Sequence, residues 1–199
     1  MFEAITSWLV QTIGTLGYFG IFVLMFIESS CFIPFPSEVV MIPAGYLASK
    51  GEMNFLLVLL SGVTGSLTGA VVNYFIAYKF GRVLLLKFGK YLFFKPEHLE
   101  KIEIFFRKHG EISTFNGRLV PGVRQYISLP AGLAKMNILK FITYTTLGAT
   151  IWMFVLTLLG YLIGENEALV NQYLAYIVIA AIIIVLILTI VYILFKRKK

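Results

Sequence analysis

Long apolar segments alternate with short polar or proline-rich stretches along this 199-residue chain. Four of them, at about residues 8–27, 54–78, 138–163 and 173–195, are long enough to cross a bilayer as helices. Residues 1–16 place apolar side chains at helical spacing, which predicts an amphipathic lead-in to the first crossing. With 59% hydrophobic and 14% charged residues, the pattern predicts an all-α polytopic membrane protein.

Two further stretches, residues 29–51 and 111–134, are apolar but carry too many prolines and glycines for a straight spanning helix. The residues to which we assign this loop-breaking role are Pro34, Pro36, Pro43, Gly45, Gly117, Pro121, Gly122, Pro130 and Gly132. Irregular backbone at membrane depth is stable only where protein or a water-filled cavity covers it. We therefore predict two re-entrant helical hairpins that meet near the middle of the membrane.

The two broken stretches belong to an internal repeat. In each of them two prolines stand nine residues apart, and the second begins a Pro-Ala-Gly sequence, at 43–45 and at 130–132. A Met-Asn pair follows, at 53–54 and at 136–137, and begins an apolar span that ends at a glycine 28 residues after the methionine. Because only one full crossing separates corresponding points, the two halves are predicted to be inverted relative to each other, as in many transporters.

The repeat divides the chain, which we treat as a single membrane domain over residues 1–199, into five parts. These are the first repeat with its lead-in at 1–81, a basic loop at 82–110, the second repeat at 111–164, a C-terminal transmembrane helix at 173–195 and a basic tail at 196–199. At the end of the basic loop, early acidic and late basic residues predict a surface helix that begins at Pro96 and ends near Gly110.

Basic residues are concentrated at two places. Twelve of the seventeen lysines and arginines lie between Lys79 and Lys108 or in the last four residues. By the positive-inside rule, the loop and both termini are predicted to be cytoplasmic and residues near 165–167 external. Topology therefore explains the net charge of +7 better than a nucleic-acid partner does.

The sequence gives little indication of disulfide, metal or cofactor chemistry. The single cysteine, Cys31, excludes an internal disulfide and a multi-cysteine metal site, so we expect no metal and no cofactor. The N-terminal segment carries Glu3 and no basic n-region, and we therefore expect no cleavable signal.

Four ionisable residues stand at or within the broken stretches: Glu28 and Glu38 in the first half, Arg118 and Arg124 in the second. An arginine near the bilayer centre costs roughly 2.5–3.5 kcal/mol on insertion scales, so it needs a partner or a water-filled cavity. The two arginines are six residues apart around a proline and a glycine, and a bend there would aim both guanidinium groups at one phosphate.

Other roles for these residues stay open. The two glutamates would exchange protons in a dry site, or else form structural ion pairs with the arginines. The arginines themselves would also suit an interfacial loop in which they reach lipid phosphates at the membrane surface. A channel is disfavoured, because no repeated ring of polar residues is present to line a pore.

The order of these motifs resembles the DedA family of bacterial membrane proteins, which is related to the VTT-domain proteins of eukaryotes. The motifs are Glu28, Pro-Phe-Pro-Ser-Glu at 34–38, Gly-Arg-Leu-Val-Pro-Gly-Val-Arg at 117–124, Pro-Ala-Gly at 130–132 and Trp152. The resemblance covers nearly the whole chain. Both acids and both arginines of the family pattern are present, with Glu38 where many members have aspartate.

The resemblance implies a lipid translocase of the bacterial cytoplasmic membrane and not an enzyme. Family members are associated with returning undecaprenyl phosphate to the cytoplasmic face, or with moving phosphatidylethanolamine or other phospholipids, in dependence on the proton-motive force. We expect undecaprenyl phosphate and protons as partners, and a homodimer remains open. The alternatives are a non-transporting lipid-binding scaffold and a lipid phosphatase, although the chain has no aspartate to serve as nucleophile.

Overall fold

The computed structural model describes residues 2–30, 36–81 and 96–165, and for residues 2–9, 96–103, 107 and 165 it describes the backbone only. All regular structure in these ranges is helical, so the all-α prediction is confirmed for this part of the chain. The helices are α1 (Phe2–Ser29), α2 (Glu38–Ser49), α3 (Phe55–Ile76, extended by a π-helical turn at Ala77–Gly81), α4 (Pro96–Leu119), α5 (Ser128–Leu133) and α6 (Ile138–Glu165).

Three of these helices are long and apolar enough to cross a membrane: Val10–Ser29 in α1, Phe55–Gly81 in α3 and its extension, and Ile138–Gly164 in α6. They match the crossings expected at 8–27, 54–78 and 138–163. Helix α1 contains one residue with non-helical backbone, Gly17, at a φ of 61°. The predicted crossing at 173–195, the basic tail, Cys31 and residues 82–95 of the loop lie outside the described residues.

In the first broken stretch, the chain forms a short helix instead of an irregular loop. Helix α2 has 12 residues, or about 18 Å of length, whereas crossing the hydrocarbon core takes about 30 Å. Pro43 and Gly45 were predicted to break the helix, but both lie inside it. Pro36 precedes the helix, and Pro34 lies among the residues that are not described.

The second broken stretch is more helical than predicted. Helix α4 begins at Pro96 as expected, but it passes a distorted residue at His109 (φ −128°, ψ 16°) and continues to Leu119. Gly117 therefore does not end the helix. Its role is close packing, because a Cβ at this position would lie 2.6 Å from the side chain of Ile127 in the returning chain.

A turn at residues 120–127 follows α4 and contains Pro121 and Gly122, the latter with a φ of 79° that favours glycine. Helix α5 then includes Pro130 and Gly132, which were also predicted to break the chain. The turn around Gly122 thus separates α4 from α5, and the Pro-Ala-Gly sequence lies within α5.

Glycines allow the helices to approach each other at backbone distance. A Cβ added at Gly45 would overlap the carbonyl oxygen of Thr157 in α6, and one added at Gly132 would overlap the carbonyl oxygen of Tyr74 in α3. Each Pro-Ala-Gly helix therefore packs against the long helix of the other half of the chain. The most extensively packed pairs are α1 with α3, α2 with α6 and α4 with α6, followed by α1 with α2, α3 with α6 and α3 with α5.

Gly132→Ala should lower the thermal unfolding temperature of the detergent-solubilised protein, because overpacking costs typically 1–3 kcal/mol. The matched control is Gly14→Ala in α1, where the added Cβ would lie 3.7 Å from Leu47, an ordinary contact. Alanine favours a helix over glycine by up to about 1 kcal/mol, so the control should be neutral or slightly stabilising. Equal unfolding temperatures for the two variants would contradict the close approach of α5 and α3.

Candidate functional site

Glu28 lies in the last turn of α1 and is 1% exposed. Its Oε1 accepts hydrogen bonds from Nη2 of Arg124 and, at 3.2 Å, from Nε2 of Gln125. Its Oε2 accepts a hydrogen bond of 2.7 Å from the hydroxyl of Ser29, which also contacts the Ser66 hydroxyl at 2.7 Å. Three donors therefore satisfy the carboxylate, as a buried charge requires.

Arg124 lies in the turn between α4 and α5 and is 5% exposed. Besides its ion pair with Glu28, its guanidinium carbon stands 5.5 Å from the ring centroid of Trp152 in α6, within the range of cation–π attraction. The indole N–H of Trp152 donates to the hydroxyl of Ser37, at 3.3 Å, just before α2. Arg124 is thus positioned by residues from both halves of the chain.

Arg118 lies in the last turn of α4, where the helix dipole favours a cation, and is 2% exposed. Its Nη2 donates a hydrogen bond of 2.9 Å to the hydroxyl of Ser128 at the start of α5. Gly148 in α6 makes room for it, because a Cβ at that position would lie 2.7 Å from the Cβ of Arg118. Packing between α4 and α6 therefore fixes this arginine from one side.

The three charged residues line one narrow internal space. We call these three residues, together with Ser29, Ser66 and Trp152, the central cluster; Ala149 and Met153 also line the space. The space is too tight to admit a water-sized sphere, so the cluster is closed in this structure.

Glu38, the second candidate acid, is not part of this cluster. It lies in the first turn of α2, is half-buried and does not line the central space. The structure therefore brings three of the four predicted charged residues together. The supporting hydroxyl and amide groups of Ser29, Gln125 and Ser128 were not predicted from the sequence. Polar residues next to charged ones in an apolar chain are the signal that could have identified them.

These features define a membrane protein whose described part is helical, with a buried cluster of two arginines and a glutamate. The family model of the VTT domain matches residues 35–162. The chain therefore belongs to the VTT domain family, which is the DedA family that the sequence motifs resemble.

Three curated relatives each match more than nine tenths of the chain. The uncharacterized membrane protein YkoX of Bacillus subtilis (strain 168) is 42% identical over 197 residues, which are 99% of this chain and 86% of that protein. Undecaprenyl phosphate transporter A of the same organism is 33% identical over 189 residues, 93% of this chain and 91% of the transporter. An "alkaline phosphatase-like protein" of Lactococcus lactis subsp. lactis (strain IL1403) is 33% identical over 201 residues, 96% of this chain and 92% of the relative. No solved structure matches the chain.

A double-mutant cycle on Glu28→Ala and Arg124→Ala should give a large favourable coupling in the free energy of unfolding. Removing one member of a buried pair costs about 3–5 kcal/mol, because the other charge stays buried without compensation. The matched control is the ion pair between Lys140 and Glu111, with nitrogen and oxygen 2.5 Å apart and side chains 60% and 39% exposed. Coupling at this solvated pair should be much smaller. Equal coupling at the two pairs would show that the central cluster is solvated.

Proposed function

We propose that this protein translocates a phosphate-bearing lipid across the bacterial cytoplasmic membrane, with Arg118 and Arg124 holding the phosphate. The observation that carries the proposal is that both arginines, each 5% exposed or less, line one internal space between apolar helices. Burying two arginines costs free energy, and binding an anion would give both of them a function that explains this cost. Undecaprenyl phosphate is our favoured substrate, in accord with the name of one relative.

Charge within the central cluster suits a phosphomonoester. Two arginines and one glutamate leave an excess of one positive charge in the closed state. A phosphomonoester carries between one and a half and two negative charges near pH 7. Replacing Glu28 by the phosphate would therefore bring the cluster close to neutrality, which lowers the cost of crossing an apolar medium. Guanidinium groups also match phosphate oxygens with pairs of parallel hydrogen bonds.

Glu28 and the phosphate compete for the same guanidinium group. Glu28 holds Arg124 in the closed structure, so the phosphate binds fully only when this ion pair opens. Uptake of a proton by Glu28 would release Arg124, and the neutral carboxyl would keep hydrogen-bond partners in Gln125 and Ser29. Loss of that proton on the other side would restore the ion pair and expel the lipid. This exchange is our proposal for proton coupling; Glu38, half-buried in α2, is a second proton carrier in it.

An inverted repeat with two re-entrant hairpins, α2 and α5 being their short helices, would provide the alternating access that transport requires. Glycine contacts at three pairs of corresponding positions support it. Two of these pairs join the halves: Gly45 with Thr157 and Gly132 with Tyr74, and Gly81 with Leu133 and Gly164 with Tyr46. The third pair lies within the halves, Gly65 with Phe22 and Gly148 with Phe115.

The helix caps repeat as well. Asn54 accepts hydrogen bonds from the N–H groups of Leu56 and Leu57 at the start of α3, and Asn137 accepts them from Leu139 and Lys140 at the start of α6.

We further propose that the basic loop and both termini face the cytoplasm, as the charge distribution indicates. A homodimer is compatible with this arrangement and is not needed for it.

Two alternative functions lead to different measurements. In the first, the protein translocates phosphatidylethanolamine or another phospholipid. In the second, the arginines only anchor lipid, and the protein binds lipid without transporting it. The phosphatase-like name of one relative suggests a third assay, for release of inorganic phosphate. Reconstituted liposomes that contain either polyprenyl phosphate or phosphatidylethanolamine distinguish these cases, because transfer between leaflets and release of phosphate are followed separately.

Arg118→Lys and Arg124→Lys should each lose most polyprenyl phosphate transfer in proteoliposomes, because an ammonium lacks the planar fork of the guanidinium. Loss of one charge-assisted contact costs about 1.5–3 kcal/mol, or about 10- to 150-fold in affinity. The reverse exchange at an exposed lysine, Lys50→Arg, is the control and should leave transfer unchanged. Near-wild-type transfer by both arginine variants, at equal amounts of folded protein, would overturn the phosphate-binding role.

A further inference from the structure

A second cavity lies apart from the central cluster, where the distorted part of α4 faces the turn between α5 and α6. Its volume is about 560 Å³, within the range of about 300–1,000 Å³ that is typical of small-molecule sites. The central space, by contrast, does not admit a water-sized sphere. We call this second cavity the interfacial cavity, because it adjoins Lys140 in the first turn of a membrane-crossing helix.

Three lysines from three chain segments converge on the interfacial cavity. Lys108 comes from α4, Lys135 from the turn after α5, and Lys140 from the first turn of α6, and all three are exposed. His109, also exposed, lines the cavity at the distorted position of α4. A cavity with several cations and solvent access is typical of an anion site.

One of these lysines occupies an unfavourable backbone conformation. Lys135 has a φ of 53°, in the left-handed region that glycine tolerates best. The turn after α2 in the first half uses Gly51 there, with a φ of 75°. Strain of this kind is found preferentially at functional positions. At Lys135 it accompanies an amine that lies 5.8 Å from the ring centroid of Tyr78 and lines the cavity.

The interfacial cavity has a positive net charge even after its acidic residue is counted. Glu111 accepts a hydrogen bond of 2.5 Å from Lys140. Hydrogen bonds from Lys140 and Tyr144 hold the pKa of Glu111 below its usual value, so this carboxylate stays ionised at neutral pH and offsets Lys140. Lys108 and Lys135 remain as uncompensated positive charges among the described lining residues.

The surroundings of the cavity favour a lipid over a free ion. Ile112, which lines the cavity, is 64% exposed, and Leu139, next to Lys140, is 71% exposed. Leu139 lies in the first turn of a spanning helix, and Ile112 lines the cavity together with Lys140 from that turn. If a lipid head group occupied the cavity, the acyl chains of the lipid would cover these two apolar side chains. An inorganic anion would leave the two side chains uncovered, so a lipid is favoured.

We propose that the interfacial cavity binds the phosphate head group of an anionic membrane lipid through Lys108 and Lys135. Helix α4 connects this cavity to the central cluster, since Gly110 and Arg118 are eight residues apart on it, about 12 Å along a helix. Lipid binding here does not depend on the proposed function. A role of the cavity in receiving or releasing the transported lipid does rest on that function.

Protection of lysines from acetylation tests the proposal directly. The purified full chain in an uncharged detergent is treated with an amine-reactive reagent, and the labelling rate of each lysine is measured by mass spectrometry. Dioctanoyl phosphatidic acid should slow labelling of Lys108 and Lys135 at least several-fold. Lys50, an exposed lysine near a tyrosine ring in the first half, is the internal control and should keep its rate. Dioctanoyl phosphatidylcholine, whose phosphate is offset by choline, should protect none of them.

Two further arms separate the remaining outcomes. Lys108→Gln should abolish the protection of Lys135, whereas Arg124→Lys, which disables the proposed transport site, should leave it intact. Equal protection of Lys50 would mean general adsorption of the anionic lipid, and protection by inorganic phosphate at the same concentration would mean a free-anion site. Either result, or no protection at all, overturns the proposal.

Discussion

The cost of placing charge inside an apolar protein governs the centre of this structure. Glu28, Arg118 and Arg124 are almost fully buried between helices that are long and apolar enough to cross a membrane. A charge at such a position needs a partner from the chain or a water-filled cavity, and the space between these residues is too tight for a water-sized sphere. Glu28 and Arg124 meet that need for each other although they are 96 residues apart in sequence. The two halves of the chain must therefore pack closely for the cluster to exist.

Small residues make this packing possible. Glycines in the long helices and in the Pro-Ala-Gly helices bring backbones together at the α1–α3, α2–α6 and α3–α5 contacts. In lipid, close van der Waals packing replaces the hydrophobic effect as the force that joins helices. The same contacts place Ser29 and Ser66 beside Glu28, so that helix packing and solvation of the buried carboxylate depend on each other. A change in helix packing would change the ion pair, which is the coupling that a transporter needs.

Much of this arrangement could be predicted from the sequence, because the hydropathy and charge of neighbouring residues determine where helices begin and which segments can cross a membrane. The three described crossings, the helix start at Pro96 and the concentration of charge near the broken stretches all follow from local patterns. The continuation of α4 to Leu119 and the helical state of Pro43 and Pro130 do not, since contacts with other helices decide them.

The pairing of side chains within the central cluster could not be predicted from the sequence either. Nothing in the chain distinguishes Glu28 from Glu38 as the partner of Arg124, because the choice depends on how α1 and the turn after α4 meet in space. The hydroxyl groups that complete the cluster are visible in the sequence only as serines among small residues. Tertiary packing alone makes Ser128 a partner of Arg118.

Competition between Glu28 and a phosphate for Arg124 is the central claim, and the affinity of Glu28→Gln for a short polyprenyl phosphate tests it most directly. Glutamine keeps the shape of glutamate but forms no ion pair, so the phosphate would no longer have to displace a bound carboxylate. The account predicts that Glu28→Gln binds farnesyl phosphate several-fold more tightly than the wild type does, while it transfers the lipid more slowly because it cannot exchange a proton. Weaker or unchanged binding of farnesyl phosphate by Glu28→Gln, at equal amounts of folded protein, would contradict the account.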